Sequence, residues 1–323
     1  RLKTAQSATS KPGSGTILQD VTVFSSPTGD FDYPPMGRPL PPKPLDAQAL
    51  ALDSPANRRA YFAEWLTSAG NRYFARALVN RVWRNFMSRG LVEPADDMRT
   101  SNPPSNQELL DALTKDFISH GFDVDYLIRT IMNSATYQAA SEPTPENVQD
   151  DKYYSHYIIR RLPAEVLLDA YSEVTAEPEQ FDGYPLGMRA LQLPDTAVDS
   201  YFLTAFGRPP REQTRESDRT SVPSITQALH VINGDTLNQK LRAPGGTVDM
   251  LLKLGLSNQR MVEYLFLASF SRYPTEAERQ ELVSALRSAE AQKTAGNAAD
   301  ARQAALADMA WAILTSKEFM FNH

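Results

Sequence analysis

Large apolar side chains recur at steps of three and four residues between positions 71 and 90. They are Phe74, Leu78, Val82 with Trp83, and Phe86. This spacing is typical of an α-helix with one buried face, and the intervening arginines would occupy its other faces. Gly90 is expected to end the helix. The chain is therefore constrained to pack at least this helix against other apolar elements.

One arginine of this helix does not fit a solvent-facing role. Arg81 precedes Val82 and lies one turn after Leu78, close to the apolar stripe. A guanidinium group in that position requires a carboxylate partner, because a buried charge without one is costly. Asp96 and Asp97 follow shortly after the helix. We therefore predict a structural ion pair in which a buried Arg81 contacts Asp96 or Asp97.

Further helices are indicated by capping residues along the chain. Ser54 and Pro55 are typical of a helix start, and Tyr61, Phe62, Trp65 and Leu66 would form the inward face of that first helix. Two capping boxes are predicted, one formed by Ser105 with Glu108 and one by Thr275 with Glu278. Apolar periodicity predicts the other helices near 124–138, from Pro163 onward, and near 224–241, 247–254, 258–271 and 301–319.

Two parts of the chain lack helical periodicity. Residues 1–52 are rich in proline and predict an extended arm, with at most a small β element at Ile17–Phe24. Apolar periodicity is lost over residues 177–222, which predicts one long irregular excursion from the helical body. A further strand signal lies within it, at Met188–Leu193. The predicted fold is an all-α multi-helix domain over residues 53–323, and removal of the arm should leave that domain folded.

The composition excludes several classes of function. The net charge of -6 argues against a general nucleic-acid-binding protein, and no apolar run is long enough to span a membrane. The absence of cysteine excludes disulfides and thiolate metal sites within this chain, and no two histidines have the spacing of metal ligands. The familiar nucleotide-binding and hydrolase motifs are absent. We expect no metal and no cofactor.

The end of the excursion holds the main cluster of charged residues. An anionic ligand could be held there by arginine side chains beside a helix N-terminus, at Arg208, Arg211, Arg215 and Arg219. Neighbouring acids offer the alternative that these charges neutralise one another on a solvated loop. Asp195 and His230 are candidate acid–base groups, and Asp195 with Asp199 could form a carboxylate pair. Nothing in the sequence shows that these groups converge.

Short segments distributed from about residue 20 to the C-terminus resemble one protein family. They include 63–68, 74–83, 90–92, 103–106, 133–137, 160–162, 227–230, 272–275 and 314–319. The family is the C-terminal domain of unknown function numbered 1553, found in large planctomycete proteins that often carry a cytochrome-c-like module. The resemblance implies an exported or cell-surface location and a longer parent chain. Similar chains often have cysteines where this one has Thr214 and Ser217.

Two functions remain open from the sequence. The first is a non-catalytic binding or scaffolding module whose partners are other modules of the same or a neighbouring exported chain, or an acidic polysaccharide. The alternative is an enzyme acting on surface or extracellular polysaccharide, with its site between the 192–222 segment and the 224–241 helix. In that alternative Asp195 or His230 supplies the acid or base, and the arginines hold an anionic group.

Overall fold

A computed structural model of the chain describes residues 32–33, 37–194, 198–209, 224–291 and 298–322. Helices account for most of this part of the chain, which confirms the predicted all-α fold. The described residues form two compact units. The first contains the described residues up to Ala139 together with Thr144–His156, and the second contains Ala140–Pro143 and the chain from Tyr157 onward.

The first unit contains a short antiparallel pair of strands and a group of helices. Strand β1 (Asp32–Tyr33) pairs with β2 (Arg38–Pro39) in the register Asp32 to Pro39. The helices are α1 (Arg58–Leu66), α2 (Phe74–Met87), α3 (Gln107–Ser119) and α4 (Val124–Met132). Helices α3 and α4 both pack on α2.

The second unit is larger and is built mainly around α5 and α12. Its first elements are β3 (Arg160–Arg161), α5 (Ala164–Thr175), a 3₁₀ turn (Ala190–Gln192), α6 (Tyr201–Ala205) and α7 (Ile225–Asn233). It continues with α8 (Asp235–Arg242), α9 (Thr247–Lys253), α10 (Asn258–Phe270), α11 (Glu276–Ala291) and α12 (Ala298–Leu314). The last elements are α13 (Lys317–Met320) and β4 (Phe321–Asn322), which pairs antiparallel with β3.

Each unit has its own apolar core. In the first unit the buried side chains of α2 meet Leu110, Phe117, Leu127 and Ile131. In the second unit the core includes Leu167, Tyr171, Leu203, Phe206, Leu251, Val262, Leu265, Leu306 and Leu314. Burial of these apolar side chains is the main favourable contribution to the folding of each unit.

The buried face of α2 differs from the predicted one. It consists of Ala75, Val79, Asn80, Val82, Trp83 and Met87, whereas Phe74, Leu78 and Phe86 are only partly buried. The buried face is rotated relative to the predicted stripe, and both α3 and α4 pack on the helix. The helix ends at Met87, before the predicted Gly90, and its C-cap Ser88 adopts a left-handed conformation with φ of 67°.

Several predicted helix starts are wrong. Helix α1 begins after Asn57, whose side chain accepts hydrogen bonds from the Arg59 and Ala60 amides, and none of its residues is buried. Of its predicted inward face, Tyr61, Trp65 and Leu66 are partly buried, whereas Phe62 is exposed. Helix α3 is capped by Asn106 instead of Ser105. At α3 the two candidates Ser105 and Asn106 are adjacent, and local sequence does not distinguish which side chain reaches the N3 amide.

The capping box of α11 is confirmed. The Thr275 amide donates to Glu278 Oε2 at 2.7 Å, and the Glu278 amide donates to Thr275 Oγ1 at 3.3 Å. The single helix predicted over 224–241 is wrong, because the chain breaks into α7 and α8 at Gly234. A Cβ atom at Gly234 would lie 2.2 Å from the His230 carbonyl oxygen, so only glycine permits this close turn.

The remaining differences concern strands and helix ends. The strand signal at Met188–Leu193 is wrong, because the described chain forms the 3₁₀ turn there. Ile17–Phe24 lies outside the described residues. Helix α4 ends at Met132, before the predicted 138, and α13 follows a Ser316 cap that the sequence analysis missed. The boundary of the arm at residue 52 and the independence of the 53–323 domain stay predictions.

The described end of the arm is tied to α1 by hydrogen bonds. Tyr61 donates through its hydroxyl to the Gln48 carbonyl at 2.6 Å, and Arg58 donates to the Leu52 carbonyl at 3.4 Å. Within the described chain, no helix combines the length and apolar character that crossing a membrane requires.

Candidate functional site

The predicted arginine cluster is only partly within the described residues. Arg208 is buried and donates a short hydrogen bond from Nη2 to the Val198 carbonyl. The guanidinium group of Arg208 therefore contacts a backbone carbonyl within the described stretch 198–209 of the excursion. Arg211, Arg215, Arg219 and Asp195 lie outside the described residues, so their predicted roles stay predictions.

His230 is surrounded by aromatic rings. Its ring centroid lies 5.2 Å from that of Tyr201, 5.6 Å from Phe202 and 5.9 Å from Phe206. The Nε2 atom is 3.2 Å from the Thr236 hydroxyl. Burial lowers the pKa of the imidazole below its usual value, against a smaller opposing effect of the Asp235 charge. His230 is therefore held mainly as a neutral, packed side chain at neutral pH.

The carbonyls at the end of α6 are satisfied by two buried side chains that the sequence analysis did not single out. Arg161 donates from Nη2 to the Phe206 carbonyl at 2.9 Å, and its guanidinium lies 5.2 Å from the Phe206 ring centroid. Gln227 donates to the Ala205 carbonyl at 3.1 Å. Burial lowers the pKa of Arg161. Helix ends leave such carbonyls unpaired, so these contacts anchor the described part of the excursion.

Arg81 contacts Asp96, but it is not buried. Its Nε donates to Asp96 Oδ1 at 3.1 Å, and its Nη2 makes a shorter contact with the same oxygen. The Arg81 side chain is 52% exposed. The predicted burial is wrong because the buried face of α2 is rotated away from this position. Asp97 instead binds Arg99, through two hydrogen bonds of 2.7 Å each.

The polar residue that is fully buried on α2 is Asn80. Its Nδ2 donates to the Val92 carbonyl at 2.9 Å and the Ala95 carbonyl at 3.3 Å, and its Oδ1 accepts from the Val92 amide at 2.9 Å. An asparagine can replace a strand partner in this way because its amide carries both a donor and an acceptor. Asn80 thus fixes the loop that follows α2.

A cleft of about 410 Å³ lies beside this loop in the first unit. It is lined by Arg72, Tyr73, Arg76, Val92, Met98, Arg99, Thr100, Asn102, Pro103, Pro104 and Gln107. We call it the arginine cleft. Its volume is in the range of about 300–1,000 Å³ that is usual for small-molecule sites.

Short-range hydrogen bonds place the walls of the arginine cleft. The Asn71 carboxamide oxygen accepts from the Tyr73 amide at 2.8 Å and the Phe74 amide at 3.0 Å, which caps the start of α2. Asn102 donates to the carbonyls of Glu93 and Asp97 at 3.3 and 3.0 Å. The Asn102 bonds hold the loop that carries Arg99 and Thr100 in a closed turn, and the Asn80 bonds attach the start of that loop to α2.

The arginines of the cleft are held by carboxylates that do not line it. Arg76 Nη1 lies 2.5 Å from Asp111 Oδ1, and Arg76 Nη2 donates to Gln107 at 3.0 Å. Arg99 is bound by Asp97, whose pKa is lowered chiefly by the hydrogen bond from that guanidinium. Arg72 lies 3.5 Å from Asp46. Arg72 and Arg99 remain 77% and 78% exposed.

A second arginine site, in the other unit, has its donors fully occupied. Arg272 donates to Glu278 through Nη1 and Nη2 at 3.0 and 2.9 Å, and to Glu318 through Nε and Nη2 at 2.7 and 2.8 Å. Its Nη1 also donates to the Tyr273 carbonyl at 3.2 Å. All five N–H donors of a guanidinium are thereby used, so this residue is part of the fold and offers no donor to a ligand.

Nothing in the described part of the chain groups three or more His, Asp or Glu side chains closely enough to hold a metal ion. The fold and the cleft together define a class: an all-α multi-helix protein with an arginine-lined cleft. The chain belongs to the family described as PSD1, protein of unknown function (DUF1553), whose model matches residues 58–286. This confirms the resemblance identified in the sequence. No curated protein and no solved structure shows significant similarity to the chain.

Proposed function

We propose that this chain is a non-catalytic binding module of an exported multi-domain protein, and that the arginine cleft is its binding surface. The observation that carries the proposal is the composition of the cleft wall. Among the described residues that line it, three are arginines and none is Asp, Glu, His or Lys. The wall offers fixed positive charge and no side chain that readily exchanges a proton near neutral pH.

This composition favours binding over catalysis. General acid–base catalysis requires a group whose pKa is near the working pH, and arginine stays protonated throughout the usual range. The Tyr73 hydroxyl donates to the Asp46 carboxylate, and this contact raises the pKa of Tyr73. The tyrosine is therefore poorly suited to act as a base.

The enzyme alternative would use Asp195, which lies outside the described residues, or His230 as its acid or base. The described surroundings of that residue are aromatic rings, and its imidazole contacts the Thr236 hydroxyl. These contacts support a packing role for His230. An exported location is part of the proposal on the basis of the family resemblance, and detection of the native protein in secreted or surface fractions tests it.

The function is tested by screening binding and turnover in the same samples. The protein is incubated with neutral and acidic oligosaccharides and with acidic peptides, while calorimetry measures binding and reducing-end assays measure hydrolysis. We expect saturable binding of at least one compound without new reducing ends. Hydrolysis by the wild type that disappears in a His230→Gln variant would establish the enzyme alternative instead. Failure of every compound to bind would contradict a binding module for ligands of these classes.

A further inference from the structure

The arginine cleft has a one-sided charge. The carboxylates that hold its arginines, Asp46, Asp97 and Asp111, are not part of its wall. The charged side chains that a ligand would meet on the wall itself are therefore guanidinium groups, although each of them is paired with one of these carboxylates. Arginine forks match the planar geometry of carboxylates and the oxygens of sulfate or phosphate. The ligand expected from this arrangement carries an oxyanion.

Two of the three arginines, Arg76 and Arg99, are also held in place by hydrogen bonds. Arg76 is held at both Nη atoms by Asp111 and Gln107, and its side chain is only 25% exposed. Asp97 contacts the Nε and Nη2 edge of Arg99, so a ligand would meet the Nη1 group. Holding these long side chains before binding reduces the entropy that a ligand must offset.

Apolar surface lies next to these charges in the cleft. Pro103, Pro104, Val92 and Met98 line it together with the ring of Tyr73. The remaining lining residues are Thr100 and the amides Asn102 and Gln107. A sugar ring presents an apolar C–H face and several hydroxyl groups, so an acidic sugar matches all three kinds of surface. The side chain of Tyr73 suits this combination of apolar and polar surface, because it has an apolar ring and a polar hydroxyl group.

Other classes of anionic ligand fit this wall less well. Peptides usually bind by adding a strand to a sheet edge or by placing a helix in an apolar groove. The described residues that line the cleft belong to the start of α2, the start of α3 and the loop between these helices, and none belongs to a strand. A net charge of -6 disfavours nucleic acid.

From these observations we infer that the arginine cleft binds a short segment of an acidic oligosaccharide, with its carboxylate or sulfate group held by Arg72 and Arg99. The inference rests on the proposed binding function and specifies its ligand class. Uronic acids and sulfated sugars share the required chemistry, which is an oxyanion attached to a sugar ring.

The test compares defined ligands on wild-type and variant protein by calorimetry. The ligands are a uronic-acid trisaccharide, a sulfated trisaccharide, a neutral trisaccharide, a glutamate tripeptide and sodium sulfate. The variants are Arg72→Gln with Arg99→Gln, and Arg81→Gln as the matched control. Arg81 lies on the same helix as Arg76, is half exposed and is also paired with a carboxylate, but it does not line the cleft. Because Arg72 and Arg99 are mostly exposed, unchanged thermal unfolding should show that the double variant is folded.

We expect one of the two acidic trisaccharides to bind at least about ten-fold more tightly than the neutral one, since charge-assisted hydrogen bonds are the strong ones. The double variant should lose about ten-fold or more in affinity, while Arg81→Gln should not change it. Affinity should fall as salt rises because the charges are partly screened. An Arg99→Lys variant should recover only part of the affinity, because lysine lacks the planar fork.

Three results would overturn the ligand class while leaving a binding module in place. They are equal affinity for the glutamate tripeptide, equal affinity for sulfate alone, and equal affinity for the neutral trisaccharide. Tight binding of the acidic sugar that the double variant retains would overturn the assignment to this cleft. If the wild-type protein binds none of the five compounds, both the inference and the proposed function lose their support.

Discussion

Arg272 and Glu318 are joined by two hydrogen bonds, from Nε at 2.7 Å and from Nη2 at 2.8 Å. The same guanidinium binds Glu278 at the start of α11 and lies 5.2 Å from the ring centroid of Phe266. Arg272 therefore connects the end of α10, the start of α11 and the C-terminal helix α13. The strength of this connection comes from fixed geometry, because a guanidinium fork can satisfy two carboxylates at once.

Replacement of Arg272 by Ala should destabilise the second unit by ~1–2 kcal/mol, after allowance for the partial exposure of the three side chains. Arg272→Lys should recover little of this loss, since one ammonium group cannot satisfy both carboxylates in a planar arrangement. Urea unfolding of both variants provides the measurement. If the lysine variant matched the wild type, charge alone would be responsible and the fork geometry irrelevant.

The same contact should make the protein sensitive to acid. The hydrogen bond from Arg272 lowers the pKa of Glu278 from its ordinary 4.5 to about 2. The unfolded chain therefore binds a proton at higher pH than the folded chain does, and stability falls as pH decreases from about 4.5 towards 2. Thermal unfolding across this range should show a steeper loss in the wild type than in Glu278→Gln. Parallel curves would exclude a contribution from Glu278.

Asn80 is expected to be essential for the loop after α2. Asn80→Ala would remove the partners of the Val92 amide and of the Val92 and Ala95 carbonyls, at a cost of about 3 kcal/mol. Asn80→Asp should be at least as damaging near neutral pH, because a carboxylate would face both carbonyls. Chemical unfolding measures both variants. A loss below ~1 kcal/mol for the alanine variant would mean that water replaces the side chain.

Arg81 should contribute little to stability despite its pairing with Asp96. With half of its side chain in water, Arg81→Ala should cost no more than ~1 kcal/mol, as for other exposed pairs. The Arg81→Ala and Asp96→Ala double-mutant cycle measures the pair directly. A coupling energy of several kcal/mol would show that the pair is shielded from solvent.

His230 should titrate below the ordinary value of 6.5 in the folded protein. Because burial lowers its pKa, the unfolded state binds this proton first as pH falls, and the associated stability is lost below about pH 6.5. NMR titration of the imidazole measures the value. Tyr201→Ala would uncover the ring and should return the pKa towards normal. A wild-type pKa above 6.5 would indicate a nearby negative charge instead of a packed site.

The sequence by itself determined the fold class and most helix positions of the described chain. Apolar spacing predicts α10 and α5, and the Thr275 and Glu278 pair identifies the start of α11, because caps and periodicity act within a few neighbouring residues. The bounds of the arm and of the excursion stay predictions, and the short helix α6 within the described part of the excursion was not predicted from the sequence. Membership in the family also followed from short sequence segments, and the match over residues 58–286 confirms it.

Only the tertiary structure decided which polar residues are buried and which reach solvent. Arg161 and Asn80 are buried, whereas Arg81, predicted to be buried, is half exposed. Apolar periodicity marks one face of a helix, but it does not fix which side the neighbouring helices cover; α3 and α4 both pack on α2, and Arg81 lies outside its buried face. The arginine cleft likewise depends on loops fixed by Asn80 and Asn102, whose partners are 5 to 15 positions away along the chain. Contacts at such separations depend on the folded path of the backbone, which local sequence patterns do not specify.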